Sequence, residues 1–176
     1  MTIEPETKDW AWVISMHCDE CGFDPASVRR DEIPDRIVAS ADGWAQVLAR
    51  PDVAQRPNDH TWSPLEYACH VRDLSSVMTE RLDSMLETQP VCFPDWDQDR
   101  AAEQADYQSQ NPADIAEQIT AATAGFAELY RLVDDAAWSR HGLRSDGTTF
   151  TVETLALYAL HDLEHHRGDV GLPPRS

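Results

Sequence analysis

The sequence predicts an all-α protein, a four-helix bundle over residues 35–176 behind an irregular N-terminal extension, residues 1–34. Three observations carry this. Apolar residues recur at intervals of three and four in four separate segments. Helix-starting and helix-stopping residues bound those segments. No stretch makes a convincing strand. With 176 residues, 41% of them hydrophobic and 26% charged, one domain can bury a core without disulfide staples.

The extension holds Trp10, Trp12 and the cluster His17-Cys18-Asp-Glu-Cys21-Gly22, and it ends at Pro34, which can begin a helix but not sit inside one. From Asp35 to Arg50, Ile37, Val38, Ala41, Trp44, Ala45 and Leu48 keep helical spacing, with Gly43 as a weak point. Pro51 and Pro57 mark a loop. The second helix starts most clearly: Ser63 is an N-cap, Pro64 suits the first position, and Glu66 completes a capping box. Tyr67, His70, Leu74, Val77, Met78, Leu82 and Met85 form one stripe running to about Thr88. Pro90, Pro94 and the acidic Asp95–Asp99 predict a loop or lid. Asp95, Asp97 and Asp99 alternate like a calcium loop but lack the Gly and Glu that such a loop needs. A third helix spans Pro112 to about Asp134. Trp138, Gly142 and Gly147 mark turns between Asp135 and Thr149. The last helix runs from Thr151 to Arg167, with Gly168 as its C-cap and Pro173 as a stop. Trp44, Trp62 and Trp138 read as packing residues.

Charge excludes some functions. Thirty-two acidic residues against fourteen basic ones give a formal net charge of −18, with no basic run, which argues against nucleic acid and against an anionic membrane surface. No apolar run approaches the ~20 residues of a membrane span, and the first residues lack a secretory pattern. The expected compartment is the cytoplasm, with Cys18, Cys21, Cys69 and Cys92 reduced.

The chemistry concentrates in histidines. His161 and His165 stand four apart, one helical turn, where two imidazoles can share an ion. His70 lies within the apolar stripe of the second helix, and a bundle builds metal sites from inward residues on facing helices. His70, His161 and His165 together offer three ligands and leave an open coordination position. Glu164 lies on another face, and no general base is assigned. For Cys18 and Cys21 three readings stay open: a second metal site, with His17 as a further ligand, a redox pair, or a packed turn with reduced thiols.

Trp62-Ser63-x-x-Glu66-x-x-x-His70 opening the second helix, with His161-x-x-x-His165-His166-Arg-Gly-Asp closing the last, resembles the DinB-like (YfiT-type) helical-bundle superfamily, which includes mycothiol-dependent maleylpyruvate isomerases. The resemblance covers residues 35–172. It implies an up-down-down-up bundle with one divalent metal ion, zinc or nickel, on His70, His161 and His165, with His166 a neighbour that reads as a cationic helix cap. It implies a metal-dependent transferase or isomerase whose partners are a low-molecular-weight thiol, mycothiol or bacillithiol, and a small electrophile. The end at Ser176 leaves no room for the extra C-terminal domain of some isomerases, so a transferase is the expectation. The alternative is a non-catalytic stress-response or dimerisation module, pairing as a homodimer, whose metal is structural or absent.

Overall fold

The computed structural model describes residues 10–174; the first nine residues of the extension lie outside it. The helices are α1 (Ile33–Ser40), α2 (Trp44–Leu48), α3 (Pro64–Glu87), α4 (Gln98–Gln104), α5 (Pro112–Arg131) and α6 (Val152–Asp169), and the strands are β1 (Val91–Phe93), β2 (His141–Arg144) and β3 (Thr149–Thr151). The chain is mostly helical. α3 packs along α5 and α6, and α1 packs against both α5 and α6. Leu74, Met78 and Leu82 of α3, Ile115, Ile119 and Phe126 of α5, and Leu155, Leu160 and Leu163 of α6 are buried in one core. Among the described residues no helix is long and apolar enough to cross a membrane.

α3 forms where its caps predict. The Ser63 side chain accepts from the Glu66 backbone N–H, and the Glu66 carboxylate accepts from the Ser63 N–H and hydroxyl at 2.9 and 2.8 Å. Arg56 then closes a buried ion pair on Glu66. α6 opens with the same device, Thr151 and Thr154 capping each other.

The expected helix from Asp35 to Arg50 is instead two short ones. Gly43 takes φ 89°, which a right-handed helix cannot continue through. A side chain there would meet Leu172 at 2.7 Å, so the break lets the C-terminal tail approach.

The all-α expectation is corrected by a small sheet ordered β1-β2-β3, in which β1 pairs parallel with β2 and β2 antiparallel with β3. The strands are three or four residues long, too short for alternation to stand out in a sequence. Gly147, at φ 97°, turns the hairpin. Gly142 lets β2 pass beside Phe93 and Met85, where an added Cβ would lie 2.4 Å from the Phe93 ring. The expected lid at 90–99 therefore contains β1 and leads to α4, which Asp97 caps by accepting from the Arg100 N–H.

The N-terminal segment is irregular, with single turns at Ala11–Ile14, Pro25–Ser27 and Arg30–Glu32. It lies on the bundle: Ala11–Ile14 packs against α6, and Val13, Cys18 and Phe23 are buried. Arg36 joins this side of α1 to α6 through a two-pronged pair with Glu164, at 2.9 and 2.8 Å.

Candidate metal centre

Successive residues of an α-helix step roughly 100° around its axis, so two residues four apart share a face and the next such pair takes the adjacent face. The run His161-Asp162-Leu163-Glu164-His165-His166 holds two of these pairs, 161 with 165 and 162 with 166. The structure uses both.

One group joins His70, Asp162 and His166, whose ligand atoms lie within 4.8 Å of one another. His70, in the second turn of α3, is fully buried. Trp96 stacks on its ring at 5.2 Å, Trp62 lies 5.3 Å away, and His166 meets it edge-on at 4.8 Å. Neither ring nitrogen of His70 has a hydrogen-bond partner, and Nε2 stands 3.7 Å from an Asp162 oxygen, beyond bonding reach. His166 is bonded at both ends, Nε2 to Asp162 at 2.9 Å and Nδ1 to Asp169 at 2.7 Å.

The electrostatics follow. Burial drives the His70 pKa below its ordinary value, against the pull of Asp162. Burial also opposes charge on His166, but the two carboxylates outweigh it and lift its pKa to about 9. Burial alone would raise the Asp162 carboxyl, yet His166 and His70 hold it well below the usual carboxylate range.

The second group joins His161 and His165 with Cys18 and Cys21, again with all ligand atoms within 4.8 Å. Burial pushes the Cys21 thiol up to about 12, with the Phe23 backbone N–H pulling the other way. Burial likewise lowers His161 to about 4.

The three histidines expected to share one ion are thus divided. The structure brings His161 and His165 together and sets His70 with Asp162 and His166. His166 does stand in the last turn of α6, but it answers carboxylates rather than capping helix carbonyls. His17 turns outward to Asp19, half exposed, and does not join the cysteines. Asp162 and Asp169 drew no role from the sequence, and His166 only a capping one, although the spacing of four and the Asp three residues beyond His166 were visible there.

A cavity of about 210 Å³ opens beside both groups. α6 lines it with His161, Asp162, His165 and His166, and the N-terminal segment closes it with Trp10 and Glu20.

A family model described as the DinB superfamily matches residues 35–170. Among solved structures, the fold is similar to YfiT from Bacillus subtilis, described as a probable metal-dependent hydrolase with an unusual four-helix bundle topology. The TM-score is 0.70 at 16% identity over 84% of this chain and 91% of that one. It is also similar to the mycothiol-dependent maleylpyruvate isomerase, with a TM-score of 0.64 at 16% identity over 84% of this chain. The match spans 62% of the isomerase's length. Among curated protein sequences none matches.

Proposed function

We propose, for a chain that belongs to the DinB superfamily, a metal-dependent enzyme that joins a low-molecular-weight thiol of the mycothiol or bacillithiol type to a small electrophile, its ion held by His70, Asp162 and His166. The observation that carries this reading is the convergence of those three ligand atoms beside a cavity, with the buried His70 ring lacking any hydrogen-bond partner. A buried imidazole without a partner is costly, and a cation relieves that cost. Two imidazoles and one carboxylate fit zinc, nickel or iron(II) and leave coordination positions open. When bound, a divalent cation supplies the Lewis acidity that draws a thiol or a water to its anionic form near neutral pH.

The chain's own residues set the conditions. Asp169 engages His166 Nδ1 and so turns Nε2 toward Asp162. Trp96 and Trp62 hold the His70 ring and keep water from its far side. Tyr67 lies against His166 at 5.1 Å, and burial raises its pKa, so its phenol is neutral in the cavity wall at physiological pH.

The mycothiol dependence of the isomerase with this fold supports the thiol. Hydrolysis is the second reading, because two histidines and a carboxylate are also the ligand set of metallopeptidases and YfiT is described as a probable hydrolase. The test compares the metal-loaded chain with its Asp162→Ala variant in conjugation of mycothiol to a bimane electrophile, and in ester cleavage without thiol. Thiol-dependent conjugation that falls to background in the variant supports the transferase. Cleavage without thiol supports the hydrolase, and no turnover of either kind by loaded protein leaves a non-catalytic module.

A further inference from the structure

The N-terminal cysteines have no part in the proposed reaction, yet they sit where a second cation belongs. We infer that Cys18, Cys21, His161 and His165 form a closed structural zinc site that clasps the N-terminal segment to α6. It is separate from the centre at His70, Asp162 and His166, and it stands or falls independently of the reaction proposed there.

The donor set comes first. Two thiols and two imidazoles are the ligands of a structural zinc ion, and a tetrahedral ion with bonds of ~2.0–2.3 Å holds its donors roughly 3.3–3.8 Å apart. Here all four ligand atoms already lie within 4.8 Å, so closing on an ion needs movements well under the length of a bond.

The second observation is independent. His161 is 3% exposed, and its Nε2 is buried without a hydrogen-bond partner, as is His165 Nδ1. Two buried nitrogens without partners are costly, and a cation shared with the two thiols would relieve that cost. The other nitrogen of His165 stands 3.8 Å from a Glu20 oxygen, an electrostatic neighbour beyond hydrogen-bond reach.

The backbone is shaped for the purpose. The Cys18 N–H donates to the Phe23 carbonyl and the Gly22 N–H to the Cys18 carbonyl, both at 2.8 Å. Gly22 takes φ 80°, which folds the chain back after Cys21. This brings the two sulfurs to the same side of a tight turn. Trp10 packs on the imidazoles at 5.3 and 5.2 Å, Phe23 meets His161 edge-on at 5.6 Å, and four protein ligands would fill every position of a tetrahedral ion.

The charge balances. Binding releases one proton from each thiol, and two thiolates with two neutral imidazoles neutralise a divalent ion, as a buried site requires. His161 and His165 adjoin Asp162 and His166 in sequence, so the clasp also fixes the turn of α6 that carries the other centre, and it holds Trp10 and Glu20 in the cavity wall.

The test uses the full-length untagged chain, reduced and stripped of metal, then loaded with zinc or cobalt(II). Zinc should shield Cys18 and Cys21 from alkylation, read by mass spectrometry, while the exposed Cys92 reacts as before. Cobalt should give a tetrahedral spectrum with a thiolate charge-transfer band. That band should be lost in Cys21→Ser and kept in Asp162→Ala, whereas Asp162→Ala should lose the other ion. His165→Ala leaves both thiols in place, so loss of zinc protection in it separates coordination from mere burial. Equal alkylation of wild type with and without zinc, a cobalt spectrum without the thiolate band, or a Cys18–Cys21 disulfide in the reduced preparation would each overturn the assignment. The wild-type comparison decides it even if a variant fails to fold.

Discussion

Glu66 shows how much one residue can carry. Its carboxylate caps α3, accepts from the Ser63 N–H and hydroxyl, and pairs with Arg56, all while 2% exposed. Burial pushes its pKa up, but Arg56 and Ser63 outweigh that and hold it below the ordinary value. The unfolded chain therefore binds this proton more readily than the folded one. The stabilisation is complete above the unfolded carboxylate value of roughly 4.3 and is lost as pH falls through the lower folded value. Glu66→Gln should flatten the acid limb of a Tm-against-pH curve, and Glu66→Ala should cost about 2–3 kcal/mol in denaturant unfolding, since it removes both the cap of α3 and the part-buried ion pair with Arg56. Asp169 is a subtler case. It touches His166 on the side away from the proposed ion, so Asp169→Ala should weaken metal binding at that centre by about 10–100-fold in a titration while leaving far-ultraviolet circular dichroism unchanged.

At the scale of elements, local signals predicted helices well and the breaks between them less well. The boundaries of α3 are nearly those expected, because Ser63, Pro64 and Glu66 act on their own backbone neighbours. The break between α1 and α2 depends on Leu172, 129 positions away in sequence yet 2.7 Å from where a Gly43 side chain would start. Gly43→Ala should therefore lose about 1 kcal/mol or more, from the left-handed backbone and the contact together. Gly142→Ala should cost about 1–3 kcal/mol by forcing β2 away from Phe93 and Met85. Both are read by chemical denaturation, and an unchanged midpoint would show that the neighbouring side chains give way freely. The sheet was hidden for the same reason as the helix break: β1 and β2 pair across 51 positions, Val91 with Gly142.

For the whole molecule, the net charge of −18 is the dominant long-range term. Like charges on a compact chain repel, and salt screens them over a Debye length of ~10 Å at 0.1 M. Thermal stability should rise with sodium chloride from low to moderate ionic strength. A flat response would mean that ion pairs such as Arg30–Glu153 and Arg131–Asp35 already offset the repulsion locally.

What the sequence determined by itself was the helical character and the long helices with their caps, because these depend on spacing and on neighbours along the chain. The 161/165 pair is the one expected to join His70, but 162/166 keeps the same interval of four, and spacing alone does not say which pair faces α3. Only the tertiary structure decided that. α3 brings His70 to one face of α6, and the N-terminal segment brings Cys18 and Cys21 to the other. A helix presents every face equally until something packs against it.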